Sequence, residues 1–377
     1  MHVGMTAIFQ NPEGNDGNPD LDAGVYTVEY AMADKAEALG FDSLWGVEHH
    51  FNGYAMCPDP LKFLTYFAGR TQKIKLGTMV VVAPWHDAVR VAEDSSVLDH
   101  VSGGRNIIGI GRGVAKIEFD GFRLDMNQSR QLLIENIQAT QMGLEKGYIE
   151  FQGEVVKQGY VQIRPKPARS FADRIYASAA SPESYPIFGK LGVGLLFIPG
   201  QRTWDQIAGD LDAYRNAFRE AHPGKSPPMP IFAGWTFVDE DAARAEELGK
   251  KYINGYIESA LGHYQTTGEH MKGIKGYEYY AAAADRMKAA GVTRDQQSSA
   301  FVNNHIWGTP EQCVEKIKAV REQLGACAFL AIFNYAGMPV EEAKRNQALF
   351  AAKVLPKLKA YMPDLDVGAR AVLEPAE

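Results

Sequence analysis

An apolar run, Phe41-Asp42-Ser43-Leu44-Trp45-Gly46-Val47, stops at one acid and two imidazoles, Glu48-His49-His50. Short apolar runs between helices read as buried parallel strands. The carboxyl end of such a strand is where α/β folds keep their chemistry. A histidine titrating near neutrality in a cleft suits acid–base work, while a pair of imidazoles on a surface loop is the plainer alternative. Neighbouring strand residues point to opposite faces, so His49 and His50 are poorly placed to share one ion. No further cluster of ligand spacing accompanies them, and no metal is expected.

Three other stretches carry unusual residues. Gly109-Ile110-Gly111-Arg112-Gly113 is followed by Asn127-Gln128-Ser129-Arg130. Arg112 and Arg130 offer guanidinium forks that suit phosphate oxygens, and the glycines beside Arg112 let a ligand approach the backbone. The spacing misses GxGxxG and lies at the fourth strand, which speaks against a dinucleotide fold. In Ala179-Ala180-Ser181-Pro182-Glu183-Ser184, Ser181 is expected to cap a helix beginning at Pro182, with Ser184 one turn on. Such a helix start is an anion site or simply an N-cap. Finally, Leu76-Gly77-Thr78-Met79-Val80-Val81-Val82 leads into Pro84-Trp85-His86. Trp45, Trp85, Trp235, Tyr277 and Phe197 could line an apolar pocket or be plain core.

The elements that must position these residues alternate along the chain. Strands are expected at Val3–Phe9, Phe41–Val47, Ile74–Val82, Asn106–Ile110, Ile175–Ser178, Gly194–Ile198, Pro230–Val238 and Ala328–Phe333. Helical patterns lie between them: Val25, Val28, Met32, Ala36 and Leu39; Trp204 to Phe218 after Thr203; and a third opened by Thr309-Pro310. This alternation predicts a closed (β/α)8 TIM barrel, with an open doubly wound sheet as runner-up. Insertions follow strands 4 and 7, at residues 112–174 and 239–327, and the polar stretch 262–300 reads as a mobile flap. One domain is expected over 1–362, followed by a poorly ordered C-terminal tail at 363–377.

The 377 residues are 46% hydrophobic and 23% charged, an ordinary globular balance. A net charge of −7 gives no sign of nucleic-acid binding, and no apolar run is long enough for a membrane span. The amino terminus lacks the features of a signal peptide, and Cys57, Cys313 and Cys327 form no disulfide framework, so a cytoplasmic location is expected.

Taken in order, several pieces resemble the bacterial luciferase-like family of flavin-dependent monooxygenases, and in particular its catalytic alpha subunits. They are Gly40-Phe41-Asp42 through Glu48-His49-His50-Phe51, Leu76-Gly77-Thr78, and Ala92-Glu93-Asp94 through Leu98-Asp99 to Ser102-Gly103-Gly104-Arg105. Gly111-Arg112-Gly113, Asp125 to Arg130, and Gly308-Thr309-Pro310-Glu311-Gln312-Cys313 complete the set. The likeness spans residues 1–360. It implies a TIM barrel binding reduced FMN at its carboxyl mouth, delivered by a separate flavin reductase. Oxygen would be activated as a flavin C4a-hydroperoxide to oxygenate a small organic substrate. His49 falls on the family's catalytic histidine, flanked by Glu48 and His50. Arg112, Arg130, Ser181 and Ser184 fall on phosphate-binding positions, with Ala180 beside them in place of an acid. Met79 and Val80 fall on a non-prolyl cis peptide beneath the isoalloxazine ring.

Gly111 replaces a cysteine near the ring, and the flap differs from that of luciferase. These departures argue against light emission and a long-chain aldehyde. The resemblance also implies a homodimer or a luciferase-like heterodimer, with Phe63, Phe67 and Val91 as candidate interface residues. Two other activities fit the same resemblance. One is a deazaflavin (F420)-dependent dehydrogenase, the other a non-catalytic flavin-binding subunit.

Overall fold

The computed structural model describes residues 1–12, 17–200, 202–265 and 269–370. In it the apolar runs become parallel strands: β1 (His2–Ala7), β2 (Ser43–Gly46), β3 (Lys75–Thr78) with its continuation β4 (Val81–Val82), and β5 (Asn106–Gly111). An inserted antiparallel hairpin of β6 (Tyr148–Gln152) and β7 (Lys157–Gln162) follows. Then come β8 (Ile175–Ser178), β9 (Gly194–Phe197), β10 (Ile231–Val238), β11 (Ile306–Gly308) and β12 (Ala328–Ile332). Pairing runs β12-β1-β2-β3-β5-β8-β9, and β10 joins β9 to β12. Eight strands therefore close into the expected (β/α)8 barrel. β11 lies outside that circuit, alongside the end of β10.

Closure depends on how side chains share the interior. Trp45 is fully buried, with its indole N–H donating to Ser43 Oγ at 2.7 Å. It fits because Gly77, its neighbour in register on β3, and Gly4 on β1, opposite Ser43, leave the space open. A Cβ on Gly77 would lie 2.4 Å from the Trp45 ring, and one on Gly4 2.9 Å from its Nε1. Trp45 is thus core, and Phe197 is buried in the same way.

The third apolar run is interrupted where the resemblance implies. The Met79–Val80 peptide is cis, and it separates β3 from β4. β5 presses directly on this break. A Cβ at Gly109 would lie 2.1 Å from the Thr78 carbonyl oxygen, while Thr78 Oγ1 bonds both the Gly109 carbonyl and its N–H. At Gly111 the obstacle is a Val80 methyl, 2.4 Å away. A side-chain methyl can rotate, whereas a backbone carbonyl held in a ladder cannot. Gly109→Ala is therefore expected to destabilise the fold by about 3 kcal/mol, and Gly111→Ala by clearly less. Urea unfolding of the two variants checks the ranking.

The caps expected at Thr203 and Thr309 form, each as a reciprocal capping box, with Gln206 and Gln312. The Thr203 pattern divides into Trp204–Gly209 and Leu211–Ala221. The second insertion is more regular than its sequence suggests. Helix Ala242–Tyr264 runs into the expected flap region, which holds helices Glu278–Ala289 and Arg294–Asn303. Helix Glu278–Ala289 buries no residue, so it has no apolar face for periodicity to reveal.

Of the expected tail, residues 371–377 lie outside those described. Residues 363–370 hold to the barrel: Asp366 pairs with His2 and Lys75, and Arg370 with Asp173. Phe63, Phe67 and Val91 are buried within the chain, while Tyr66, Val97 and Val101 on the same two helices are exposed. Among the described residues no helix is long and apolar enough to cross a membrane.

Candidate functional site

A pocket opens where the carboxyl ends of β2, β4, β5 and β8 converge. Glu48, His49, Met79, Val80, Arg112, Arg130, Ala180, Ser181 and Ser184 all line it, together with Gly111, Gly113, Trp85, Glu118, Tyr264 and Tyr280. His50 does not. Its ring packs edge-on against Trp85 and Phe122, and its Nε2 lies 3.2 Å from Glu48 Oε1. Of the five candidate aromatics only Trp85 reaches the pocket.

Glu48 is a structural hub. Its buried carboxylate accepts from the Val82 N–H at 2.7 Å and meets His86 Nε2 at 2.5 Å. It thereby ties the end of β2 to the segment just after the cis peptide. Burial opposes protonation of His86, but the Glu48 carboxylate outweighs it and raises the His86 pKa.

His49 faces the other way. Its Nδ1 lies 3.0 Å from Glu118 Oε1, which also accepts the His50 backbone N–H at 2.9 Å. Glu118 sits on helix Lys116–Phe122 and is fully buried. Burial alone would raise its pKa. The neighbouring imidazoles, His49 first and then His263, prevail and hold it at about 2. Glu118 is thus an acceptor only, and His49 Nδ1 carries the hydrogen. The other imidazole nitrogen, Nε2, meets the Tyr264 hydroxyl at 3.2 Å.

Sequence reading missed both Glu118 and Tyr264. Glu118 lies between Ile117 and Phe119 on a seven-residue helix that also carries Lys116 and Asp120, so nothing local sets it apart. Tyr264 ends a helix 215 residues from His49, which no local pattern could connect.

His49, Glu118 and His263 place potential ligand atoms within 4.8 Å of one another, close enough to hold a metal ion. The surrounding hydrogen bonds favour another use. Asn52 Oδ1 accepts the Tyr54 backbone N–H, which turns the Asn52 amide N–H toward His263 Nδ1 at 2.9 Å. His263 Nδ1 therefore accepts, and its hydrogen sits on Nε2, 3.6 Å from Glu118. Burial also lowers the His263 pKa, keeping the ring neutral. A ligating Nε2 would need that hydrogen gone.

At the opposite end Arg112 and Arg130 converge. Both donate to the Gly276 carbonyl, at 2.5 and 2.9 Å, and the Arg112 guanidinium lies 4.1 Å over the Tyr277 ring. The Tyr277 hydroxyl donates to the Gly113 carbonyl at 2.9 Å. The second insertion therefore fixes both arginines, while each fork keeps further N–H groups. Among the described residues, the carboxylate within 4 Å of Arg130 is that of Glu183, at 3.9 Å.

The helix beside them starts later than expected. It runs Ser184–Leu191, and Ser181 caps nothing. The Ser184 and Tyr185 N–H groups are spent on a turn to the carbonyls of Ser181 and Pro182. Pro182 and Pro186 have none to offer. What faces the arginines is a hydroxyl pair, Ser181 and Ser184, with oxygens 3.0 Å apart. Two cations and two hydroxyls at one end of a pocket whose middle is lined by Met79, Val80, Val82 and Ile187 fit a phosphate attached to a flat apolar group.

The family model for luciferase-like monooxygenases matches residues 1–327. An alkanal monooxygenase alpha chain from Photorhabdus luminescens is 27% identical over 332 residues, covering 86% of this chain and 89% of that protein. Among solved structures, the monooxygenase RslO1 from Streptomyces bottropensis superposes with a TM-score of 0.75 at 22% identity, covering 95% of this chain and 99% of that one. An F420-dependent secondary alcohol dehydrogenase superposes with a TM-score of 0.68 at 16% identity, covering 95% and 98%. The last two likenesses show a shared fold.

Proposed function

The chain belongs to the luciferase-like monooxygenase family, and from that premise we propose a two-component enzyme that takes reduced FMN from a separate flavin reductase and oxygenates a small organic substrate. One observation carries this reading. A single pocket holds a phosphate-type cradle of Arg112, Arg130, Ser181 and Ser184 at one end and the His49–Glu118 pair at the other. Ala180 is carried with this cradle as a proposed cofactor contact through its backbone.

The chemistry supplied by reduced flavin is the activation of molecular oxygen. The protein's part is positioning, exclusion of water and proton management. Arg112, Arg130 and the two serines hold the phosphate. The Met79–Val80 backbone would support the ring, with Gly111 giving its space to a Val80 methyl. The second insertion, pinned by Gly276 and Tyr277, closes the phosphate end against solvent. His49 moves the proton, with Glu118 fixing its tautomer and orientation. Glu48 and His50 act beneath it by holding the β2 end against the segment after the cis peptide. A homodimer, or a heterodimer with a second luciferase-like chain, remains the expected assembly.

A deazaflavin-dependent dehydrogenase on the same fold would use the same cradle. Oxygen uptake separates the two. With enzymatically reduced FMN, substrate-dependent oxygen consumption coupled to product is expected across a panel of aldehydes, cyclic ketones, terpenoids and phenols. Anaerobic oxidation of substrate with oxidised deazaflavin as hydride acceptor, and no turnover with FMN and oxygen, would overturn the proposal.

A further inference from the structure

We propose that the site accepts an acidic phenol or enol, whose hydroxyl takes the place now held by the Tyr264 phenol and is deprotonated by His49. This rests on the flavin-enzyme reading above and names its substrate class.

The direction of each hydrogen bond carries the argument. Glu118 accepts from His49 Nδ1, so the pocket-facing Nε2 of the neutral ring presents a lone pair. Because that Nε2 accepts, the Tyr264 hydroxyl is the donor in its 3.2 Å contact with His49; Tyr54, whose nearer partner is the Tyr256 hydroxyl, does not set the direction. The partner that His49 has in the structure is therefore a phenolic O–H donor on a residue that lines the pocket. Tyr264 is an unreactive placeholder, because burial pushes its pKa well above the ordinary tyrosine range. It is also the last residue of its helix, followed by Gln265 in a left-handed conformation. Its side chain can leave without unpacking a barrel strand.

Charge narrows the class further. Glu48 and Glu118 are both buried at this end, which disfavours a substrate arriving as an anion. A neutral hydroxyl compound ionised in place avoids that cost. Its O–H bond breaks, an N–H bond forms at His49 Nε2, and the new anion faces an imidazolium already paired with Glu118. The net charge of the site does not change. A simple alcohol is too weak an acid for an imidazole base. A phenol or enol acidified by a conjugated acceptor is within reach, and its flat ring suits walls such as Trp85, Val114 and Tyr280.

Para-nitrophenol is the probe, read by phenolate absorbance on the full-length protein at a pH where the free probe is mostly protonated. Binding is expected to raise the phenolate fraction. Glu118→Gln is expected to abolish the rise. Tyr264→Phe, which removes the internal competitor, is expected to keep the rise and tighten binding about tenfold. A bound probe that stays protonated in the wild type, or a Tyr264→Phe variant that binds no tighter, would overturn the inference. FMN binding is measured on the same samples. Failure of the probe with FMN binding intact removes the substrate class alone, whereas absence of FMN binding removes the flavin reading.

Discussion

His49→Asn is expected to lower product formation by roughly two to four orders of magnitude, the usual contribution of a positioned acid–base group, while FMN binding changes little. The separation follows from the layout. His49 shares its hydrogen bonds with Glu118 and Tyr264, whereas the phosphate cradle is built from the residue after β5, helix Ser129–Lys146, and the turn and first residue of helix Ser184–Leu191. The variant also strips Glu118 of its main charge-assisted partner, leaving a buried carboxylate with the His50 N–H and the distant His263. Some loss of thermal stability, of order 1–3 kcal/mol, should accompany the kinetic effect. Product yield and flavin affinity are therefore measured together, at a temperature where the variant is folded. Activity within twofold of wild type would exclude the acid–base role. A parallel loss of FMN binding and activity would assign His49 to the cofactor instead.

What could be read from the sequence follows burial. The eight barrel strands are apolar runs because both their faces are covered, and each was placed to within a few residues. Trp45 shows the limit of that signal. An aromatic at a strand end reads equally as pocket or core, and only the glycines that adjoin its ring, Gly4 on β1 and Gly77 on β3, decide for core. Arg112 and Arg130 were legible because charges beside glycine and within a polar turn have no packing reason to be there. The Ser181 start was misplaced, since serine followed by proline signals a cap whether the helix begins at once or a turn later.

The insertions hid most. Helix Glu278–Ala289 lies on the surface, and the hairpin β6–β7 is half exposed, so neither leaves a strong period. Glu118 and Tyr264 complete the environment of His49, yet each acquires its role only when the chain closes on itself. A sequence records which residues are unusual locally, and these two are not.

Arg130→Met is expected to weaken FMN binding about 10- to 100-fold, the loss of one charge-assisted hydrogen-bonding group at roughly 1.5–3 kcal/mol. Turnover at saturating flavin should stay within a few-fold of wild type, because nothing at the His49 end is touched. Arg130 also donates to the Gly276 carbonyl, so the same loss of affinity could come from a loosened insertion rather than from the phosphate. Riboflavin, which has the ring and no phosphate, separates the two routes. If Arg130 binds phosphate, Arg130→Met reduces FMN affinity and leaves riboflavin affinity nearly unchanged, so the preference for FMN collapses. If it acts by pinning Gly276, both flavins weaken together and the preference survives. Arg112→Met should combine the two effects, since Arg112 shares the Gly276 carbonyl and also stacks on Tyr277. A pair of variants that left both affinities unchanged would mean that neither arginine contributes to flavin binding, and the phosphate would have to be sought elsewhere in the pocket.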